Sequence, residues 1–334
     1  MSSESQPKVV GIDVGGTKVA VAAVTGADAR GMIERPTLLR NVEELLDGVE
    51  AAVGEVIELR GRPDAIGIGV PSQVDFASGR VVASVNIPLE GVSLSEELGR
   101  RFGVPVYVDN DANCAALAES YMVGPDPAHF LVMYTLGTGV GGGLVAGGEI
   151  YRGTTGLAPE LGHVVVDPDG PACPGNCPNR GCLEALCSGT ALRRDATELA
   201  QDRPKTPLGQ IAKEKGAVRG QDVVRLARAN DPDACELFER LGRWLGIGIA
   251  DAANAFEPEH IVIGGGLSAA ADLFLDTAKA EAASRALPAL WENVEVAPAR
   301  GGPAAGVVGA GLLAAHEQAL RRDTAPLPQM REVR

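Results

Sequence analysis

The chain has 334 residues, 45% of them hydrophobic, with 44 Asp and Glu against 30 Lys and Arg for a formal charge of −14. That is enough for one large or two ordinary domains. The acidic balance argues against nucleic acid or an anionic membrane surface as a partner, since both need clustered cations. No apolar run reaches membrane-spanning length, the opening MSSESQP lacks the apolar core of a secretion signal, and six cysteines in such a chain read as reduced thiols, so a cytoplasmic location is expected.

Residues 1–7 read as a disordered polar tail. KVVGIDVGG is an apolar strand running into a glycine turn and TKVAVAAV a second strand, a hairpin with Gly15 and Gly16 at its tip. NVEELLDGVEAAVGEVIELR has helical periodicity and an acidic first turn. DAIGIGVP is a buried strand, SLSEELGRRFG a short helix, VPVYVDN a strand ending in polar residues, and DANCAALAESYMVG a helix with Asp111 at its start. HFLVMYTLGTGVGGGLVAGG is again strand, glycine turn, strand. We read it as a repeat of the first hairpin, which predicts two related α/β halves with a cleft between them. Two unrelated glycine-tipped hairpins are the alternative.

A cysteine-rich stretch follows, then helices over SGTALRRDATELAQD, VRGQDVVRLARAND and DACELFERLGRWLGIGIADAANAF. EHIVIGGGLS is a buried strand ending in three glycines, AADLFLDTAKAEAASRAL a helix, VEVAPA a strand, and AAGVVGAGLLAAHEQALRR a closing helix before a frayed last dozen residues. Strands alternating with helices predict an α/β class.

Three glycine-rich turns follow strands: Gly15-Gly16, GTGVGGG (137–143) and GGG (264–266). Glycine lets a backbone approach a ligand closely, and successive free N–H groups form anion-binding concavities. None matches a P-loop or a Rossmann fingerprint. Asp13, with Thr17 and Lys18 just beyond, could hold hydrated Mg²⁺ or simply cap its turn. In DNDAN (109–113) a strand ends and a helix begins, which is where open α/β sheets bind ligands. Asp111 could take the proton of an attacking hydroxyl or merely cap the helix, Asn110 could contact hydroxyls, and Asp109 is the rival base. Glu160, His163 and Glu184 form a polar set suited to a polyhydroxylated substrate, although either glutamate alone also fits a solvated surface. Cys173-x₃-Cys177-x₄-Cys182 with His163 ten residues upstream suits structural Zn²⁺, and a loop so rich in proline and glycine needs such a clip because it packs no core. Cys114, Cys187 and Cys235 read as small buried hydrophobes.

As a set, GIDVGGTKVA, GIGVPSQVD, VYVDNDANCAALAE, TLGTGVGGGLVAGGEIYRG, PELGHVVVD, CPGNCPNRGCLEALCSGTAL and IVIGGGLS resemble the ROK family (repressor, open reading frame, kinase), in order from about residue 9 to 320. The resemblance implies a two-domain actin-like ATPase fold, the duplicated ribonuclease H-like arrangement, with a ligand cleft and a zinc-bearing loop. It divides the chain into a small N-terminal domain over 1–110, onto which the C-terminal helix of about 305–334 packs back, and a large domain over 111–304 carrying the zinc loop 163–184. It implies ATP- and Mg²⁺-dependent phosphorylation of a hexose, most closely glucose at its 6-hydroxyl, with Asp111 as general base. Asn86, Asn110, Asp111, Glu160, His163 and Glu184 are then the sugar contacts. Asp13, Gly15, Gly16, Thr17, Lys18, Thr138 and Gly139 surround phosphates and metal, and Gly265 and Gly266 lie near the adenosine. His163, Cys173, Cys177 and Cys182 hold Zn²⁺.

Family members of this kind form homo-oligomers, dimers or tetramers. Mannose, N-acetylmannosamine, N-acetylglucosamine or fructose as acceptor, polyphosphate as donor, and a non-catalytic sugar sensor are the alternatives. The family's repressors carry an N-terminal helix-turn-helix, for which the early phosphate hairpin leaves no room. Three departures stand out: the gap from Cys173 to Cys177 is two residues longer than the family's, Pro159 precedes Glu160 where glycine is usual, and Ser72 replaces a common glycine.

Overall fold

The computed structural model describes residues 8–84 and 86–323. The tail expected over residues 1–7 and the frayed terminus beyond residue 323 lie outside the described residues. Contacts divide the chain into two compact units, 1–122 with 152–157 and 303–334, and 123–151 with 158–302.

In the first unit, β1 (Val9–Val14), β2 (Lys18–Thr25) and β3 (Asp28–Pro36) form an antiparallel meander. Helix α1 (Val42–Arg60) follows, its buried Leu45, Leu46, Val49, Ala52, Val53 and Val56 falling on one helical face. Asn41 caps it by accepting the Glu44 N–H at 2.9 Å, and Gly61 ends it at φ 85°. Strand β4 (Ala65–Val70), the small hairpin β5 (Ser72–Asp75) and β6 (Arg80–Ser84), α2 (Leu94–Phe102), β7 (Val106–Asn110) and α3 (Asp111–Ser120) complete the N-terminal part. The sheet order is β3-β2-β1-β4-β7, with β1, β4 and β7 parallel.

The second unit repeats this plan. β8 (Phe130–Leu136), β9 (Val140–Ala146) and the short β10 (Glu149–Ile150) form the meander. The helices α4 (Leu183–Cys187), α5 (Gly189–Asp202), α6 (Pro207–Lys215), α7 (Gly220–Arg228) and α8 (Pro232–Phe256) follow. Then come β11 (His260–Gly264), α9 (Leu275–Arg285), α10 (Pro288–Trp291) and β12 (Glu295–Pro298). The order β10-β9-β8-β11-β12, with β8, β11 and β12 parallel, matches the first sheet strand for strand. The internal repeat expected from two glycine-tipped hairpins is thus a repeat of the whole sheet. Each unit has its own apolar core.

The final helix α11 (Ala305–Asp323) belongs to the first unit and packs on β1, β4 and α3. The expected division fell at 110/111, before α3. Packing against α11 and β4 groups α3 with the first sheet. Several elements went unread in the sequence. The half-exposed β3, the four- and five-residue β5 and β6, and α6 have short or weak patterns. The helix expected from Ala270 starts at Leu275, because Phe274 at φ −139° separates it from a 3₁₀ segment, Gly266–Leu273. Among the described residues no helix is long and apolar enough to cross a membrane.

Candidate active site and metal centre

In the first unit the candidate carboxylates stand at the carboxyl ends of parallel strands, Asp13 on β1 and Asp111 just past β7. The backbone there is packed to the limit. Gly11 and Gly67 are register partners on β1 and β4, and a Cβ on either would overlap a carbonyl of α11, that of Val307 or Ala310 respectively. A Cβ on Gly309 would overlap the Cys114 carbonyl of α3, and one on Gly306 would sit 2.5 Å from Asp13 Oδ2. Four glycines therefore let α11 lie directly on the sheet, on the Asp13 carboxylate and on α3, the helix that begins at Asp111. Sequence reading missed this role; glycine inside the apolar strands GID and IGIG was the signal.

DNDAN resolves into distinct jobs. Asn110, not Asp111, caps α3, its Oδ1 accepting the Ala112 N–H at 2.8 Å and the Asn113 N–H at 3.4 Å, while its Nδ2 donates to Ser72 O at 3.3 Å. Asp109 is buried and committed: it accepts from Arg152 Nε at 2.6 Å, from Asn113 Nδ2 at 2.8 Å and from the Asn110 N–H at 2.7 Å. Arg152 also lies 3.6 Å over the Phe76 ring. Asp111 accepts the Ala112 N–H at 2.9 Å. Burial first, then the nearby Asp13 charge, push its carboxyl up to about 6. Burial also raises Asp13, with the Lys18 charge opposing. Lys18 itself ion-pairs Glu34 on β3. Gly15 closes the first glycine turn by donating to Lys18 O at 2.9 Å, and Thr37 braces that turn through its hydroxyl on Gly15 O at 2.6 Å. Ser72, the unusual residue, donates to Ser84 Oγ at 2.9 Å, and Ser84 in turn to Ile87 O at 2.8 Å, supporting the loop that exposes Asn86.

In the second unit the turn at 137–139 is held from several sides. Gly137 O and Thr138 O accept the N–H groups of Gly189 and Thr190, at 2.8 and 3.2 Å, from the start of α5. Glu184, in the first turn of α4, accepts the Val140 N–H at 2.9 Å. Gly265, the residue after β11, takes φ 81°, where a Cβ would overlap the Leu136 carbonyl, and Gly266 beyond it faces open space. Glu160 is exposed and precedes a 3₁₀ segment, Leu161–His163.

His163, Cys173, Cys177 and Cys182 converge, with all four ligand atoms within 4.8 Å of one another. Cys173 Sγ lies 3.4 Å from His163 Nδ1, and Cys177 Sγ 3.9 Å from Cys182 Sγ. A tetrahedral zinc site requires edges of about 3.6 Å for nitrogen to sulfur and about 3.8 Å for sulfur to sulfur. The set therefore fits zinc, and the longer CPGNC gap is absorbed by a turn with Gly175 at φ 71°. The loop is otherwise tied by two isolated antiparallel bridges, Val165 with Cys182 and Ala172 with Arg180, the latter flanked by Cys173 N to Asn179 O at 2.9 Å and Gly181 N to Pro171 O at 2.8 Å. Burial pushes the Cys173 and Cys182 thiols up, and the Asn179 N–H pulls Cys177 down. Three thiols so placed need a cation to ionise together. Cys114 and Cys187 are fully buried and sit outside this cluster.

Two like-built α/β units with glycine turns at their strand ends define the actin-like ATPase fold class, here with a cysteine-histidine loop in the second unit. The chain belongs to the ROK family, whose model matches residues 9–317. It is 36% identical over 317 residues to a glucokinase of Halalkalibacterium halodurans, covering 92% of this chain and 95% of that one. Among solved structures it is similar to a ROK hexokinase from Thermus thermophilus, with TM-score 0.79, 34% identity, and 93% and 99% of the two chains covered. It is also similar to a ROK family glucokinase from Streptomyces griseus in complex with glucose and AMPPNP, with TM-score 0.76, 33% identity, and 92% and 99% covered.

Proposed function

We propose that the chain is a sugar kinase that transfers the γ-phosphoryl group of ATP to the 6-hydroxyl of glucose. The observation that carries this reading is the division of labour in DNDAN: Asp109 is consumed by Arg152 and the Asn110 Oδ1 by the α3 cap, which leaves an Nδ2 hydrogen of Asn110 for a hydroxyl and Asp111 with a carboxyl at about 6. A general base works best with a pKa near the operating pH. Asp111 accepts the proton of the hydroxyl as its oxygen attacks phosphorus and the bond to the departing ADP breaks. The kinship with a glucokinase captured with glucose and an ATP analogue supports both substrates.

Asn86, Asn110, Glu160, His163 and Glu184 are the proposed sugar contacts. His163 turns Nδ1 toward the sulfurs, which leaves Nε2 for a hydroxyl. The N–H groups of Gly16, Thr17, Thr138 and Gly139 donate to phosphate oxygens beside Gly15, whose own N–H closes the turn on Lys18 O, Lys18 supports them electrostatically, and Gly265 with Gly266 borders the nucleoside. Asp13, whose burial is only partly offset by Lys18, suits a bound cation. Mg²⁺ supplies charge neutralisation at the phosphates when bound. Zinc is structural in this reading, orienting His163 and not activating water. A cytoplasmic location and homo-oligomeric assembly go with it.

The test is ADP release over a panel of hexoses with ATP and with polyphosphate as donors. Glucose with ATP is expected to be best. N-acetyl sugars performing as well as glucose would overturn the acceptor, and polyphosphate performing as well as ATP would overturn the donor.

A further inference from the structure

The metal loop closes on one residue from both ends. On its entry side, a Cβ on Gly162, next to His163, would overlap the Val140 carbonyl, so the 3₁₀ segment lies directly on β9. On its exit side, Glu184 stands two residues past Cys182, and its Oε2 accepts the Val140 N–H at 2.9 Å. The two ends are also joined to each other, Leu183 N donating to Val164 O at 2.9 Å. A Cβ on Gly139 would overlap Glu184 Oε2, so the residue beside Val140 is kept small to admit the carboxylate. Gly139 does not take a positive φ, so its backbone alone does not require glycine.

We propose that Glu184 is a positioning residue, the strut by which the metal-bound loop holds the 137–140 turn in the shape that receives the nucleotide's phosphates. Ligation ties His163 to Cys182, and this tie clamps Val140 between Gly162 and Glu184. The metal loop then governs nucleotide binding as well as sugar binding. Only the phosphate role of the turn rests on the function proposed above; the clamp itself does not.

The test compares the metal-loaded protein with Glu184→Ala, Glu184→Gln and Gly139→Ala. It reads amide hydrogen exchange over 137–141 without ligand and ADP affinity without sugar. Glutamine keeps an oxygen that accepts the Val140 N–H, so Glu184→Gln is expected within about twofold of wild type in both readouts. Glu184→Ala is expected to exchange about tenfold faster over 137–141 and to bind ADP several-fold more weakly, the scale of one lost hydrogen bond. Gly139→Ala, which displaces the carboxylate without touching residue 184, is expected to follow Glu184→Ala. Chelating the metal is expected to speed exchange over 137–141 in wild type and to add little in Glu184→Ala. Equal behaviour of the alanine and glutamine variants, or unchanged exchange in Glu184→Ala, would overturn the strut. A wild-type protein that fails to bind ADP while the exchange pattern holds would sink the nucleotide reading and leave the clamp standing.

Discussion

The two units share one sheet plan but secure their functional groups by different physical means. In the first, the elements that carry Asp13 and Asp111 are held by close approach at glycine: Gly11, Gly67 and Gly309 bring α11 backbone to backbone against β1, β4 and α3, and Gly306 lies on the Asp13 carboxylate. In the second, His163 and Glu184 sit at the ends of a loop with little core, tied by two isolated β-bridges and by four side chains whose ligand atoms converge in a set that fits zinc. A close-packed interior resists any added atom, whereas a clipped loop depends on its clip. The first arrangement therefore fails by overpacking and the second by losing a ligand.

The largest effect belongs to the first unit's chemistry. Asp111→Asn is expected to lower turnover by at least ~10³-fold, the scale of a lost general base and its positioning, with sugar binding retained. Retained turnover would sink the assignment. Next comes the packing that holds that carboxylate. Gly67→Ala, placing a methyl on the Ala310 carbonyl, is expected to destabilise by about 3 kcal/mol or more in denaturant unfolding. Gly54 in α1, whose Cβ meets nothing, is the control.

The second unit is expected to answer more locally. Cys182→Ser, or chelation, should drop bound zinc well below one per chain by plasma emission and open residues 163–184 to protease, with the melting temperature falling by only a few degrees, roughly the effect of 1 kcal/mol in a chain this long. Global unfolding on chelation would erase the contrast between the units.

The smallest effect is on pH. With its carboxyl at about 6, Asp111 should give turnover an acid limb that falls about tenfold per unit below that value. Its folded-state pKa lies above the unfolded one. The buried charge therefore costs stability above about 6, and the cost is relieved as pH falls toward 4. Asp111→Asn should flatten that dependence and raise the melting temperature at neutral pH.

The glycine turns, the DNDAN helix start and the cysteine spacing were all legible in the sequence, because turns, caps and ligand sets are written in short strings of special residues. The repeat was legible only as two hairpins; the matching strand orders emerged once β3, β10 and the parallel strands were paired. The residues alone left Asp109 and Asp111 as rivals, since two carboxylates two positions apart are chemically alike, and the resemblance pointed to Asp111. Arg152, 43 residues beyond Asp109, decides it by pairing with Asp109.

The sequence by itself determined the α/β class, the glycine turns, the family and the Cys/His set that converges in the fold, since each depends on local backbone freedom or on residue identity at fixed spacing. Tertiary structure alone decided which carboxylate stays available, why strand glycines are required, and that Glu184 reaches Val140. These depend on contacts between residues distant in the chain, where burial and packing, not composition, set the energy.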